Sequence, residues 1–462
     1  MTTVAAPIDR ATWRICWVIV FGAFASGLDA SVVTIGLDSI SRDLHADLSV
    51  TQWVASGYLL ALALSLPLTG WLSRRFGAGR VWLVALAAFT VASGLCALAP
   101  EVGLLIVFRL LQGLAGGMLI PAGQTVLGQQ VGAARLGRVM ATLGIAVSVA
   151  PALGPLVGGV LLQSLSWPWL FAINLPIGAI GLALGLRYVP RGTPTETHRI
   201  DFAGLALVAA GLPLALFAVT SWGESGQLPW PILLPALGLL AWFVLRCRRH
   251  PHPLLDFSLY RNRLYRAASL AAAFNGALIF GSGIVVTLYF QIGRQLSFVG
   301  TGLSLLGFAG ATAAAAPFTG RAVDRYGTAP VALAGAVLAV ASTMPFAFLP
   351  ANAPMAVVQL LLAGYGASVA LVSMPMGIAA YKTVSPAKLP DAAAQVTILL
   401  RLGGSLGGAA FTVLIANHLP DVAAAFRLGF LAVSVGAGGA LAAAWLVARA
   451  ARNPGRAETM AG

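Results

Sequence analysis

Among the 14 acidic residues of this 462-residue chain, Asp29 alone stands in the middle of a long apolar stretch; the others fall in polar segments or near stretch ends. At 1.5 Å per helical residue it lies about 22 Å from Arg14 and about 13 Å from Asp38, near the centre of a bilayer-crossing helix. An ionisable group costs roughly 2.5–3.5 kcal/mol or more there, so it must face a watery cavity or a partner. Such a carboxylate could exchange protons near neutral pH and, when ionised, hold a cationic substrate; the alternative is a permanently paired acid that locks helices. Arg109, in Arg109-Leu-Leu-Gln112-Gly113, is the matching cation. It sits about six residues into its own apolar stretch, at a depth similar to Asp29, so the two could form a charge pair or relay; its other possible role is to bind carbonyls and fix packing.

Further polar groups in apolar surroundings are Gln52, Trp53, Tyr58, Gln112, Asn275 and Arg401. With Asp29 they are candidates to line a substrate cavity through hydrogen bonds, stacking or charge, although Trp53 equally suits the interfacial aromatic belt. Gly154-Pro155-Leu-Val-Gly158-Gly159 offers a small-residue surface for close helix approach, with a kink at Pro155. Gly403, Gly404, Gly407 and Gly408 follow Arg401 in the same manner. Cys16, Cys96 and Cys247 are isolated, no metal-ligand spacing occurs, and neither GxxxxGK[ST], HExxH nor GxSxG is present. A metal, a cofactor, nucleotide-driven transport and hydrolase chemistry are therefore not expected.

The elements that must position these residues are membrane helices. The chain is 59% hydrophobic and 9% charged, against about 25% charged in a soluble domain. Uncharged runs such as Val81–Ala99 approach the ~20 residues needed to cross hydrocarbon as a helix, and lack the short alternation of a β-barrel. Punctuation by Pro, Gly and charge predicts fourteen spans, near 14–37, 51–72, 81–99, 103–125, 139–162, 167–189, 202–222, 229–246, 265–290, 298–318, 330–349, 355–380, 393–416 and 425–448. With the N-terminus cytoplasmic, only Arg42, Arg294 and Arg427 of the 28 Lys and Arg residues face outward, and Arg109 and Arg401 lie within spans. This positive-inside asymmetry places both termini in the cytoplasm and explains the net charge of +14 without nucleic acid. Span 2 ends in Gly70-Trp-Leu-Ser73-Arg74-Arg75-Phe-Gly77, and span 10 in Gly320-Arg321-Ala-Val-Asp324-Arg325-Tyr-Gly327. The repeat predicts an all-α polytopic membrane protein in three parts. Residues 1–190 form a six-helix bundle, 191–262 two linker spans and a cytoplasmic loop, and 263–462 a second six-helix bundle with a short cytoplasmic tail. Facing repeats around a midplane site are common in secondary transporters.

In order and location these motifs resemble the major facilitator superfamily, specifically its fourteen-span drug:proton antiporter branch, over essentially the whole chain. Gly70 through Arg80, with Arg74, Arg75 and Gly77, looks like the family's loop 2–3 gating motif, and Asp324 and Arg325 like its second-half copy. Arg109-Leu-Leu-Gln-Gly113 is similar to the span-4 motif tied to proton coupling. The Gly154, Pro155, Gly158 and Gly159 string resembles the span-5 motif of exporters, which implies efflux. Leu28-Asp29-Ala-Ser31-Val-Val-Thr34, Gln52-Trp53-Val-Ala-Ser-Gly-Tyr58 and Trp167-Pro-Trp-Leu-Phe-Ala-Ile-Asn174-Leu-Pro176-Ile-Gly178 are similar to the branch's spans 1, 2 and 6. The likeness departs at Ser73, where an acid is expected, so that Asp324 alone keeps the acid and the first-half gate must be looser or latched by dipoles and hydroxyls.

Together these readings predict proton-coupled efflux of a lipophilic or cationic small molecule across the cytoplasmic membrane by a monomer working through alternating access. Asp29 would carry the proton and Arg109 tune it. The competing expectations are proton symport into the cell, lipid export, and, in another class, a membrane sensor or integral enzyme.

Overall fold

The computed structural model describes residues 8–195, 199–350, 352–419 and 421–452. The ends of the first and last expected domains lie outside the described residues. Thirteen helices there are long and apolar enough to cross a membrane. They are α1 (Arg10–Asp43), α2 (Trp53–Phe76), α3 (Ala78–Ala97), α4 (Val102–Ser164), α5 (Trp169–Tyr188), α6 (Phe202–Ser225) and α7 (Trp230–Arg249), then α8 (Arg263–Gly293), α9 (Phe298–Tyr326), α10 (Thr328–Thr343), α11 (Met355–Tyr381), α12 (Leu389–Ala416) and α13 (Val422–Arg452). Capping side chains set some of the helix starts: Asp9 accepts from the Thr12 N–H, Asn262 from Leu264 and Tyr265, and Ser297 from Gly300.

One boundary differs from the sequence expectation. Spans 4 and 5 are not separated by a coil, because α4 stays helical through Val131–Arg138, where Ala, Arg and Leu are strong helix formers. Its 63 residues would extend about 95 Å if straight, three times the hydrocarbon thickness. Contacts with α1 show that the chain turns back instead. Going along α4, Arg109 meets Asp29, Gly116 meets Ser26, and Gly123 meets Ile19. Beyond the turn, the Val139 carbonyl faces the Cys16 thiol, and Gly154 and Gly158 return to Ser31 and Val32.

The glycines make that return possible. A methyl group on Gly154 would overlap Ser31 Oγ, and one on Gly158 would lie 3.1 Å from Val32 Cγ2. In the second half of the chain α8 and α12 approach in the same manner, with Gly276 against the Leu400 carbonyl and Gly403 against that of Ala273. Helices α1 to α5 pack mainly on one another, as do α8 to α13. Contacts between the two groups run through α4 against α9, α11 and α12, and through α2 against α12. Helices α6 and α7 pair with each other, and α6 leans on α2 and α12.

Both expected gating turns close with a left-handed glycine, Gly77 at φ 90° and Gly327 at φ 86°, which a side chain would strain. Pro67-Leu-Thr69-Gly70 precedes the first, and Pro317-Phe-Thr319-Gly320 the second, in identical register.

Candidate functional site

Asp29 and Arg109 meet with both side chains fully buried. Arg109 Nη1 donates to Asp29 Oδ2 at 2.6 Å, and the other carboxylate oxygen accepts from Gln112 Nε2 at 2.9 Å and Asn174 Nδ2 at 2.7 Å. All three donors are N–H groups, the complement of an ionised carboxylate. Arg109 is held in turn: its Nε donates to the Val54 carbonyl at 2.8 Å, and its guanidinium lies 4.0 Å above the Tyr58 ring. Gln112 accepts from Arg109 Nη1 and donates to Ser93 Oγ. Five helices therefore converge on one acid, α1 carrying it and α2, α3, α4 and α5 supplying or bracing its donors. Among the described residues, Arg109 Nη2 and Asn174 Oδ1 are buried without a hydrogen-bond partner.

Beside this cluster lies a central cavity of about 1030 Å³ of empty space, including the part open to solvent. Its wall is largely aliphatic, with Asn275 and Arg401 among its few polar groups. A second cavity adjoins it, lined by Ser26, Gly27, Ala30 and Ser31 of α1, and Arg401 and Phe280 border both. Asp29 borders neither. On a helix of 3.6 residues per turn it sits roughly 130° round α1 from the lining face, turned into the bundle.

The expected cavity set is thus divided. Asn275 and Arg401 are wall residues. Asp29, Gln112 and Tyr58 are buried in the polar cluster. Gln52 and Trp53 are exposed at the start of α2, with Trp53 stacked on Phe217 of α6 at 6.2 Å. Packing, which the linear pattern does not show, directs them away from the cavity. Sequence reasoning quoted Asn174 only as part of a resemblance; as a lone amide in an apolar run, it carried the same signal as Gln112.

Two ion pairs join the first and second halves of the chain on the face where the basic helix ends gather. Arg74 of α2 pairs with Asp391, in the first turn of α12, and its other terminal nitrogen reaches the Pro253 carbonyl. Asp324 of α9 pairs with Arg138 of α4 at 2.8 Å. Tyr381 of α11 adds a hydrogen bond to Gln124 of α4 at 3.0 Å.

Residues 19–412 match the sequence profile of the Major Facilitator Superfamily. The chain belongs to the major facilitator superfamily. Its relatives include the multidrug resistance protein B homolog of Mycobacterium tuberculosis, 33% identical over 91% of this chain and 80% of the relative. The tetracenomycin C resistance and export protein of Streptomyces glaucescens is 30% identical over 91% of this chain and 79% of its own length. Among solved structures, the human organic anion transporter MFSD10 superposes with a TM-score of 0.65 at 18% identity, over 95% of this chain and all of that one. The proton:xylose symporter XylE gives 0.65 at 14% identity, over 95% of each chain. These two establish shared fold only.

In this major facilitator the gating motifs are in a different register from the one the sequence suggested. Counting from Gly70 to Gly77 and from Gly320 to Gly327, the counterpart of Asp324 is Arg74, not Ser73. The first-half motif therefore carries a base where the second carries an acid. Arg74 is instead tied from across the molecule: Asp391 supplies the acid that α2 lacks, while Ser73 Oγ is buried without a partner among the described residues. Nothing in the sequence around Asp391 marks it, since it lies near the end of an apolar stretch like most of the other acids. Arg80 accepts a position beside the chain after α5, its N–H donating to the Arg191 carbonyl, and a side chain on Gly79 would overlap the Pro190 carbonyl. Arg325 lies 5.2 Å from the Tyr326 ring centre, and Arg75 is half-buried. Gly159 has open space around it, and the side chain of Pro155 lies outside the described residues.

Proposed function

We propose that this transporter is a proton-driven exporter of lipophilic small molecules across the cytoplasmic membrane. The observation that carries the reading is the buried Asp29–Arg109 pair, a single mid-helix carboxylate set one helix face away from a drug-sized cavity. The relatives named for multidrug resistance and antibiotic export support the direction.

The fold is read as fourteen crossings, with the two limbs of α4 counting as spans 4 and 5 and both termini in the cytoplasm. Residues 1–190 and 263–462 form the two bundles, and 191–262 the linker carrying α6 and α7. The basic face is then cytoplasmic, and the Arg74–Asp391 and Arg138–Asp324 pairs close it in this state.

Because Asp29 does not border the cavity, proton and substrate compete through α1 rather than for one group. Protonating Asp29 removes the charge that holds Arg109, Gln112 and Asn174, and leaves Arg109 with the Val54 carbonyl, Gln112 Oε1 and the Tyr58 ring. Helix α1, which presents Ser26, Gly27, Ala30 and Ser31 to the second cavity, can then shift. A substrate that prefers one position of α1 is coupled to a proton that prefers the other. One acid implies one proton per cycle, and the unit is a monomer.

The test is substrate-driven proton release from proteoliposomes holding wild type or Asp29→Asn, across cationic dyes, neutral antibiotics and aromatic acids. Proton exchange by wild type alone supports the reading, and equal exchange by the mutant sinks it. Symport would show instead as accumulation that collapses with the gradient.

A further inference from the structure

Arg401 differs from the other mid-membrane cation. Arg109 has an acid, two side-chain or backbone oxygens and an aromatic face. Arg401, among the described residues, has no carboxylate and no hydrogen-bond acceptor; its guanidinium lies 5.3 Å from the Phe280 ring centre and borders both cavities. Among the described residues, no Asp or Glu lines either cavity. A guanidinium held in a low-dielectric site without a counter-ion is costly, and its planar fork of N–H donors matches a carboxylate or another oxyanion in two-pronged fashion.

The neighbouring amides point the same way. Ser373 donates to Asn275 Oδ1 at 2.9 Å, and Tyr381 donates to Gln124 Oε1 at 3.0 Å. With both carbonyl oxygens occupied, Asn275 and Gln124 have their NH2 groups left to offer, and both line the main cavity. The polar complement of the cavity is thus donors around a positive charge, set in a wall of residues such as Ile120, Phe280 and Met374. A lipophilic amine would meet repulsion from Arg401 and find no acid, because Asp29 is committed to Arg109 on the far side of α1.

We propose that the substrate class is a lipophilic aromatic acid, its anionic oxygens bound by Arg401 with Asn275 and Gln124, and its ring system lying along Phe280. This rests on reading the central cavity as the exporter's substrate site.

The test is equilibrium binding to the full chain in nanodiscs, without a proton gradient, of naphthalene-2-carboxylate, naphthalene-2-carboxamide and 2-naphthylmethylamine. Wild type is expected to bind the carboxylate at least tenfold tighter than the amide, and the amine weakest. Arg401→Gln should lose that tenfold for the carboxylate while the amide stays within twofold, and Arg401→Lys should fall between. Gln124→Leu should weaken the carboxylate several-fold and serves where an Arg401 variant does not fold. The proposal is overturned if the amine binds tightest, if wild type does not bind the carboxylate, or if the preference survives Arg401→Gln. Proton release from proteoliposomes is read separately. A carboxylate preference without proton exchange defeats the antiport reading alone, and proton exchange driven only by the amine defeats the substrate class alone.

Discussion

At the residue scale, the Asp29 cluster is a case where removing one member is worse than removing two. Arg109→Ala strands a buried carboxylate, and breaking such a pair costs about 3–5 kcal/mol. Chemical denaturation in detergent should show that loss, and adding Asp29→Asn to the same chain should recover much of it, because no charge is then left unpaired. Asp29→Asn alone keeps the shape of the side chain but strands the Arg109 cation, so it should lose stability as well; the folded fraction, isolated in detergent, should still bind substrate while failing to exchange protons. The span-5 glycines give a second residue-level contrast. A side chain at Gly154 runs into Ser31, whereas Gly159 has nothing near it. Gly154→Val should abolish drug extrusion from vesicles and Gly159→Ala should leave it within about twofold, since overpacking a close helix contact costs roughly 1–3 kcal/mol.

At the element scale, α2 and α9 each carry one end of a cross-half ion pair, with the signs exchanged. Reversing Arg74 to Asp would set it against Asp391, and Asp391→Arg would set two cations together. Each single change should open the basic face, read as a longer spin-label distance between the ends of α2 and α12. The double swap Arg74→Asp with Asp391→Arg should restore the wild-type distance, which neither single change would do if the pair were incidental. These elements also mark where the sequence ran out. Apolar length and charge punctuation placed the helices apart from α4, which joins the expected spans 4 and 5 in one continuous helix, because burying twenty apolar residues is decided locally. Asp29, Arg109 and Gln112 were legible as polar groups stranded in such runs. Which way Trp53 or Tyr58 faces depends on the helix laid against it, and no local pattern encodes that; Asp391 looked like any acid at a helix start until α2 was packed on it.

At the scale of the whole molecule, the linker segments tie the basic face to both halves. Asp256, between α7 and α8, is pushed up by partial burial, but Lys388 at 2.7 Å and the Ser258 hydroxyl and N–H pull it further down, to a net value below the usual carboxylate range. Asp201 behaves alike: burial raises it, and Arg246 with the Gly204 N–H brings it below its ordinary value. A depressed folded value means stability that is present above the unfolded pKa and lost as pH falls through the folded one. The thermal-stability gap between wild type and Asp256→Asn should therefore be full at pH 7 and close only well below about pH 4, the ordinary aspartate range; a gap already closed at pH 6 would show that the contact does not stabilise the fold. The exchanged signs of the two cross-half pairs bear on more than the basic face. Arg74 is matched only to a partner carrying an acid at Asp391, and Asp324 only to one carrying a base at Arg138. A bundle transplanted from a transporter with an acid at the position of Arg74 would bring two acids face to face. The two halves of this chain thus carry matched charges at both pairs, and a chimera with a relative is expected to fold and transport when both pair positions travel together and to lose the contact when one is exchanged alone.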